Sequence, residues 1–196
     1  MLTDKQMQFA DHLDLDLVKL RGSYSSAWLR VDEGIRRIQD APFLEKEKVG
    51  LFVGHSGGKD SVVVRWLTDN AFKDVPTVHT VKSAGVRNAV HSLTRDFLYS
   101  LGRPVLYVPD NAELLYSLGL DTQIDGTRRA EASRRDGRDV GLIVNGNERS
   151  RAETPLYLEN GIFGLNLIYP IFDWSDEDVW ATIFAYDIPY SLEYEL

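Results

Sequence analysis

The sequence predicts an α/β fold, a three-layer sandwich in which about five mostly parallel strands carry helices on both faces. Two observations lead there. From Val49 onward, short apolar runs alternate with longer helical patterns, which is the texture of successive βαβ units. At Gly54 to Ser61, a glycine-rich turn joins one such run to a helix. Parallel strands need right-handed crossovers, and these place the helices on the sheet. A chain of 196 residues suits one well-buried core.

Residues 3 to 40 read as two helical segments. The first opens after Thr3 and carries Met7, Ala10, Leu13, Leu17 and Leu20; the second carries Trp28, Leu29, Ile35 and Ile38. Ala41-Pro42 closes this prelude, so residues 1–42 form a helical extension and 43–196 the α/β domain. Amphipathic helices of this kind offer a surface for a protein partner or for self-association. Strands are expected at Val49 to Val53, Val75 to Val81, Val105 to Val108, Gly141 to Asn145 and Leu165 to Ile171. Helices are expected at 59–70, 86–101, 111–118, 127–136 and 175–186. In the fourth of these helices and just beyond it, Arg128, Arg129, Arg134, Arg135 and Arg138 cover more than one face, which reads as a solvated surface, with a mobile lid over substrate as the alternative. Trp66, Trp174, Trp180 and Tyr186 sit at core-like spacing and read as packing residues.

Composition removes several function classes. A net charge of −8 argues against a large nucleic-acid interface or an anionic membrane surface. No apolar run approaches the roughly 20 residues that span a bilayer, and the first residues have neither a signal nor a transit pattern, so the cytoplasm is expected. There is no cysteine, which removes disulfides, thiolate metal sites and a cysteine nucleophile from these residues.

The glycine-rich turn carries the chemistry. In Ser56-Gly57-Gly58-Lys59-Asp60-Ser61, two adjacent glycines allow positive φ and let phosphate oxygens approach main-chain N–H groups. Ser56 and Ser61 add hydroxyl donors, Lys59 adds a full charge, and the first turn of the following helix offers unpaired N–H groups with the positive end of its dipole. The Walker spacing and the dinucleotide fingerprint are both absent. The bland alternative is a βα turn that only needs positive φ. Arg149 and Arg151 follow the expected strand at Leu142 to Val144, so they should emerge at the carboxyl edge of the sheet as a second oxyanion clamp. His55 and His79 border the same edge, where a structural role is the alternative.

The six-residue turn resembles the S-G-G-x-D-S signature of the PP-loop ATP pyrophosphatases, within the adenine nucleotide alpha-hydrolase-like superfamily. The later half looks like the phosphoadenosine-phosphosulfate (PAPS) reductase family. Ser150-Arg151-Ala152-Glu153-Thr154-Pro155 and Gly161-Ile162-Phe163 resemble its arginine segment. Tyr169-Pro170-Ile171-Phe172-Asp173-Trp174, Asp178-Val179-Trp180 and Ile188-Pro189-Tyr190 resemble its P-x-x-D-W signature and the helix after it. The resemblance covers residues 45 to 194.

It implies a PP-loop/HUP-like, Rossmann-like sheet with an adenine nucleotide across the carboxyl ends of the strands. It further implies ATP and Mg²⁺ as cofactors and transfer of AMP to an unidentified acceptor with release of pyrophosphate. Lys59 and Asp60 would be the catalytic residues, with Asp60 organising the metal. Gly126-Thr127-Arg128-Arg129-Ala130-Glu131-Ala132-Ser133 also matches the family's G-x-R-R-x-E-x-S segment, yet it precedes the strand that segment should follow. Reductases of the family carry a cysteine that these residues lack. Two alternatives therefore accompany adenylyl transfer: handling of phosphoadenylyl sulfate with a partner's thiol, and a non-catalytic nucleotide-binding module.

Overall fold

The computed structural model describes residues 1–44, 50–81, 96–102, 104–109, 112–132, 140–144, 147–150, 157–158 and 164–195. Its first helix, α1 (Asp4–His12), opens on a capping box in which Thr3 and Gln6 satisfy each other's backbone N–H. The chain breaks at Asp14, whose φ is +54°. Asp16 then caps the long α2 (Leu17–Gln39) by accepting from the N–H groups of Val18 and Lys19. Leu17 and Leu20 thus belong to the second helix, because the Asp16 cap starts it earlier than apolar spacing suggests.

The α/β part runs β1 (Leu51–Gly54), α3 (Lys59–Ala71), β2 (Thr77–Val81), β3 (Val105–Pro109), α4 (Ala112–Ser117), β4 (Thr122–Ile124), α5 (Arg129–Ala132), β5 (Val140–Val144), β6 (Asn147–Ser150), β7 (Tyr157–Leu158), β8 (Asn166–Ile168) and α6 (Asp176–Ala185). The main sheet has the order β3-β2-β1-β4-β8-β7. Its first five strands are mutually parallel, and β7 closes the edge antiparallel to β8. Of the helix expected at 86–101, residues 96–100 are helical, and its earlier part lies outside the described residues.

The strand expected at 141–145 is present as β5, but it pairs antiparallel with β6 in a separate two-stranded sheet. Its place in the parallel sheet is taken by β4, between β1 and β8. Apolar periodicity could not find β4: it is Thr-Gln-Ile, shorter than any window over which alternation is measured. Its two outer residues are nonetheless fully buried, with Thr122 and Ile124 both 0% exposed.

Successive residues of a strand face opposite sides, and here they feed two cores. Val53, Ile124 and Ile168 pack with α3 and α6, whereas Phe52, Leu167 and Val78 pack with Leu115 of α4 and with Tyr169 and Phe172. Leu2, Ala10, Leu20, Val31 and Ile38 join the first of these clusters, so α1 and α2 lie over α3 and α6. Gly34 makes the approach possible: a Cβ there would stand 2.9 Å from Leu67 Cδ1. Arg37 fastens α2 to the turn after β8, reaching the Pro170 carbonyl at 3.1 Å and the Asp173 carboxylate at 2.5 Å. On the outer side α2 exposes Val18, Trp28 and Leu29. No helix among the described residues is long and apolar enough to cross a membrane.

Trp174 and Trp180 are buried, as packing residues should be. Trp66 and the partly exposed Tyr186 pack on each other, with ring centroids 4.8 Å apart.

Candidate active site

Three carboxyl-terminal ends of parallel strands converge here: the turn after β1 leading into α3, the segment after β4, and the turn after β8 leading into α6. In the first, Gly57 has φ +91°, a conformation that L side chains resist. Gly58 is the N-cap of α3 and brings no side-chain cap. Gly126 lets the β4 segment touch the start of α3, since a Cβ there would lie 3.1 Å from the Asp60 carbonyl carbon and from the Ser61 nitrogen.

The amide donors of the turn have identifiable partners. Gly57 N–H donates to His55 Nδ1 at 3.0 Å, and Gly58 N–H to Ser56 Oγ at 3.3 Å. Lys59 N–H donates to the Tyr194 hydroxyl at 3.0 Å. Ser61 Oγ donates to the Gly58 carbonyl at 2.8 Å and receives the Ser56 hydroxyl at 3.2 Å. Because His55 Nδ1 accepts, the imidazole proton sits on Nε2, a buried atom with no hydrogen-bond partner among the described residues. Burial, helped by His79 and Arg65, pushes the His55 pKa down to about 3. The ring is therefore neutral and shapes the loop. His79 supports it by donating from Nδ1 to the His55 carbonyl at 2.7 Å.

Four charges meet above this turn. Lys59 Nζ lies 3.0 Å from Asp60 Oδ2 and 3.1 Å from Asp176 Oδ1. Arg128 Nη2 lies 2.9 Å from Asp176 Oδ1. Arg128 Nε and Asp60 Oδ1 are 2.7 Å apart, close enough for their charges although not aligned as a hydrogen bond. Burial works against the Lys59 ammonium, but the Asp60 and Asp176 carboxylates outweigh it and hold its pKa above the ordinary value. Burial likewise pushes Asp176 up, and Lys59 with Arg128 pulls it below the usual carboxylate range. Two cations and two anions thus balance, and both cations stand at the start of α3.

Arg134, Arg135 and Arg138 lie outside the described residues, but Arg128 overturns the solvated reading at its own position, being 2% exposed. The reason is topological. The segment follows β4, a strand of the parallel sheet, so the objection drawn from strand order disappears and the G-x-R-R-x-E-x-S match lands beside the loop. Arg129 turns to the sheet's other core, its N–H donating to the Phe172 carbonyl at 2.7 Å and its guanidinium 4.9 Å above the Phe172 ring. The pair expected to form the second clamp fares differently. The Arg149 side chain, in β6, and Arg151 lie outside the described residues. The ground for putting them beside the loop was a parallel strand at 142–144, and that strand is part of the separate ribbon.

Sequence reasoning missed Asp176 and Tyr194. An Asp in the first turn of a helix reads as a dipole-compensating surface residue, and nothing local announces that it faces Lys59. Tyr194 lies in a short 3₁₀ turn, Leu192–Tyr194, and only the fold brings it to the loop. Among the described residues no group of three His, Asp or Glu could hold a metal ion.

A scan against protein-family models finds no match. The chain is 39% identical over 79 residues to a phosphoadenosine 5'-phosphosulfate reductase of Xanthomonas euvesicatoria pv. vesicatoria, a match covering 37% of this chain and 32% of that protein. It is 40% identical over 57 residues to an adenosine 5'-phosphosulfate reductase of Neisseria meningitidis serogroup A, covering 28% of this chain and 23% of that protein. The chain thus matches about a third or less of these relatives' length. In three dimensions it is similar to the U34-tRNA thiolase NcsA from Methanococcus maripaludis with its 4Fe-4S cluster, with a TM-score of 0.54 at 12% identity over 83% of this chain and 66% of that one. At that identity the likeness concerns the fold alone. Over the matched stretch the chain is similar in sequence to PAPS and adenosine phosphosulfate reductases, and over most of its length it shares the fold of the thiolase.

Proposed function

We propose that the chain binds ATP at the turn between β1 and α3 and transfers its AMP moiety to an acceptor, releasing pyrophosphate. One observation carries the reading: a glycine-capped helix start, Gly57 to Ser61, with Lys59 and Arg128 both directed onto it. Backbone N–H groups and the helix dipole favour an anion at such a position. Lys59 and Arg128 add two full charges that neutralise a leaving pyrophosphate, and Arg128 adds the forked geometry suited to phosphate oxygens. Holding the polyphosphate in this way orients the α-phosphorus toward the acceptor, so catalysis is mainly positioning and charge stabilisation.

Mg²⁺ is part of the proposal. It commonly binds through substrate phosphates plus one or two carboxylates, and Asp60 and Asp176, both at the mouth of the turn, fit that need better than a resident all-protein site. Bound there, the ion would supply Lewis-acid neutralisation of the phosphates. The proposed setting is the cytoplasmic nucleotide pool, with the exposed Trp28 and Leu29 face of α2 left for a protein partner or a second copy.

A second reading, favoured by the names of the sequence relatives, takes phosphoadenylyl sulfate as ligand and a thiol from outside these residues. Calorimetric titration with ATP, with and without Mg²⁺, and with phosphoadenylyl sulfate separates the two, followed by a pyrophosphate-release assay. Micromolar ATP binding with release of pyrophosphate supports adenylyl transfer. Preference for the sulfonucleotide replaces it with the second reading, and binding of neither removes both.

A further inference from the structure

Asp176 is the member of the four-charge group that nothing in the sequence singles out. Its Oδ1 is shared between Lys59 Nζ at 3.1 Å and Arg128 Nη2 at 2.9 Å, the two cations that a polyphosphate would need. It belongs to a different helix from Asp60, and its position on α6 is fixed independently. Ser175 caps that helix with Asp178 in a reciprocal box, and the turn before it is held to α2 by Arg37 through Asp173. Asp176 is therefore a competitor for the cations of the loop on an independently anchored backbone.

We propose that Asp176 makes nucleotide binding depend on a divalent cation, by discriminating against metal-free ATP. The proposal rests on the reading that ATP binds at this turn. The argument is charge balance. Lys59, Arg128, Asp60 and Asp176 sum to zero, so a metal-free triphosphate arrives at a neutral group. Taking its cations leaves two carboxylates without partners beside the phosphates. ATP carrying Mg²⁺ brings two fewer negative charges and a cation that can face those carboxylates. Like charges a few ångströms apart at a partly exposed site cost enough to change affinity by about tenfold.

The test compares ATP affinities by calorimetry, with Mg²⁺ and with EDTA, for wild type, Asp176→Asn and Glu177→Gln. Glu177 shares the first turn of α6 and serves as the control for diffuse charge. Expected is a wild type that prefers the Mg²⁺ form, an Asp176→Asn protein that binds metal-free ATP about tenfold more tightly than wild type and so loses much of that preference, and a Glu177→Gln protein like wild type. Asp176→Asn leaves the Ser175–Asp178 cap in place, and a thermal melt checks the fold. Unchanged or weaker metal-free binding in Asp176→Asn overturns the inference while the ATP reading stands, as does an equal effect from Glu177→Gln. No ATP binding by wild type in either condition removes the reading and the inference together.

Discussion

Two helix N-termini meet at this site, and they are finished in opposite ways. The start of α6 is closed by its own residues: Ser175 Oγ accepts from Asp178 N–H at 3.2 Å, and the Asp178 carboxylate accepts from Ser175 N–H at 3.0 Å. The start of α3 has a glycine as N-cap with no side-chain bond of its own. Its first N–H is met by Tyr194, more than a hundred residues away in sequence. A helix end whose donors are satisfied locally has little left for a ligand. One whose donor is held by a removable neutral hydroxyl keeps its affinity for anions. The contrast fits a structural role for the start of α6 and the proposed binding role for the start of α3.

The strongest way to break the comparison is Lys59→Ala, which should lower ATP affinity by more than about tenfold with little change in melting temperature, because the loop is not part of either hydrophobic core. Wild-type affinity would return the glycine turn to a purely conformational role.

Acid tests the same end through His55. Its folded pKa, pushed down to about 3, lies below that of a free histidine at about 6.5. The unfolded chain therefore takes up a proton that the folded one refuses. The stability this group contributes is complete above about pH 6.5 and is lost progressively as pH falls toward 3. Denaturant titrations from pH 7 to 4 should show that slope, and a His55→Gln variant should flatten it; equal slopes would remove His55 as the cause.

Ser175→Ala sharpens the structural side. Losing the cap should cost about 1 kcal/mol of stability and leave ATP affinity unaltered. The smallest effect expected is from Tyr194→Phe, which keeps the ring against Trp180, 5.2 Å between centroids, and removes the competing hydroxyl. ATP affinity should rise by about two- to fivefold, the worth of a modest neutral hydrogen bond; a fall would make Tyr194 a ligand contact instead.

The glycine turn was legible because its requirements are local: Gly57 and Gly58, a lysine and a strand before a helix are all written within a few residues. Arg128 was not, although its segment matched the family pattern, because its meaning depends on β4, and three residues of Thr-Gln-Ile give no periodicity. The strand at 140–144 misled for the converse reason. Its apolar run is real, but a run of this kind does not say which strand it pairs with. Asp176 and Tyr194 reach the loop from two other parts of the chain, and only tertiary packing brings them there.

Gly126 has a consequence for how the site meets its ligand. Its backbone rests against Asp60 and Ser61 at a spacing that even a Cβ would crowd, so the segment bearing Arg128 and the turn bearing Lys59 are packed closely against one another before anything binds. Such a site is a preorganised template: little ordering entropy remains to oppose association at these two cations, and selectivity then comes from which charged ligand can match a spacing that is already set.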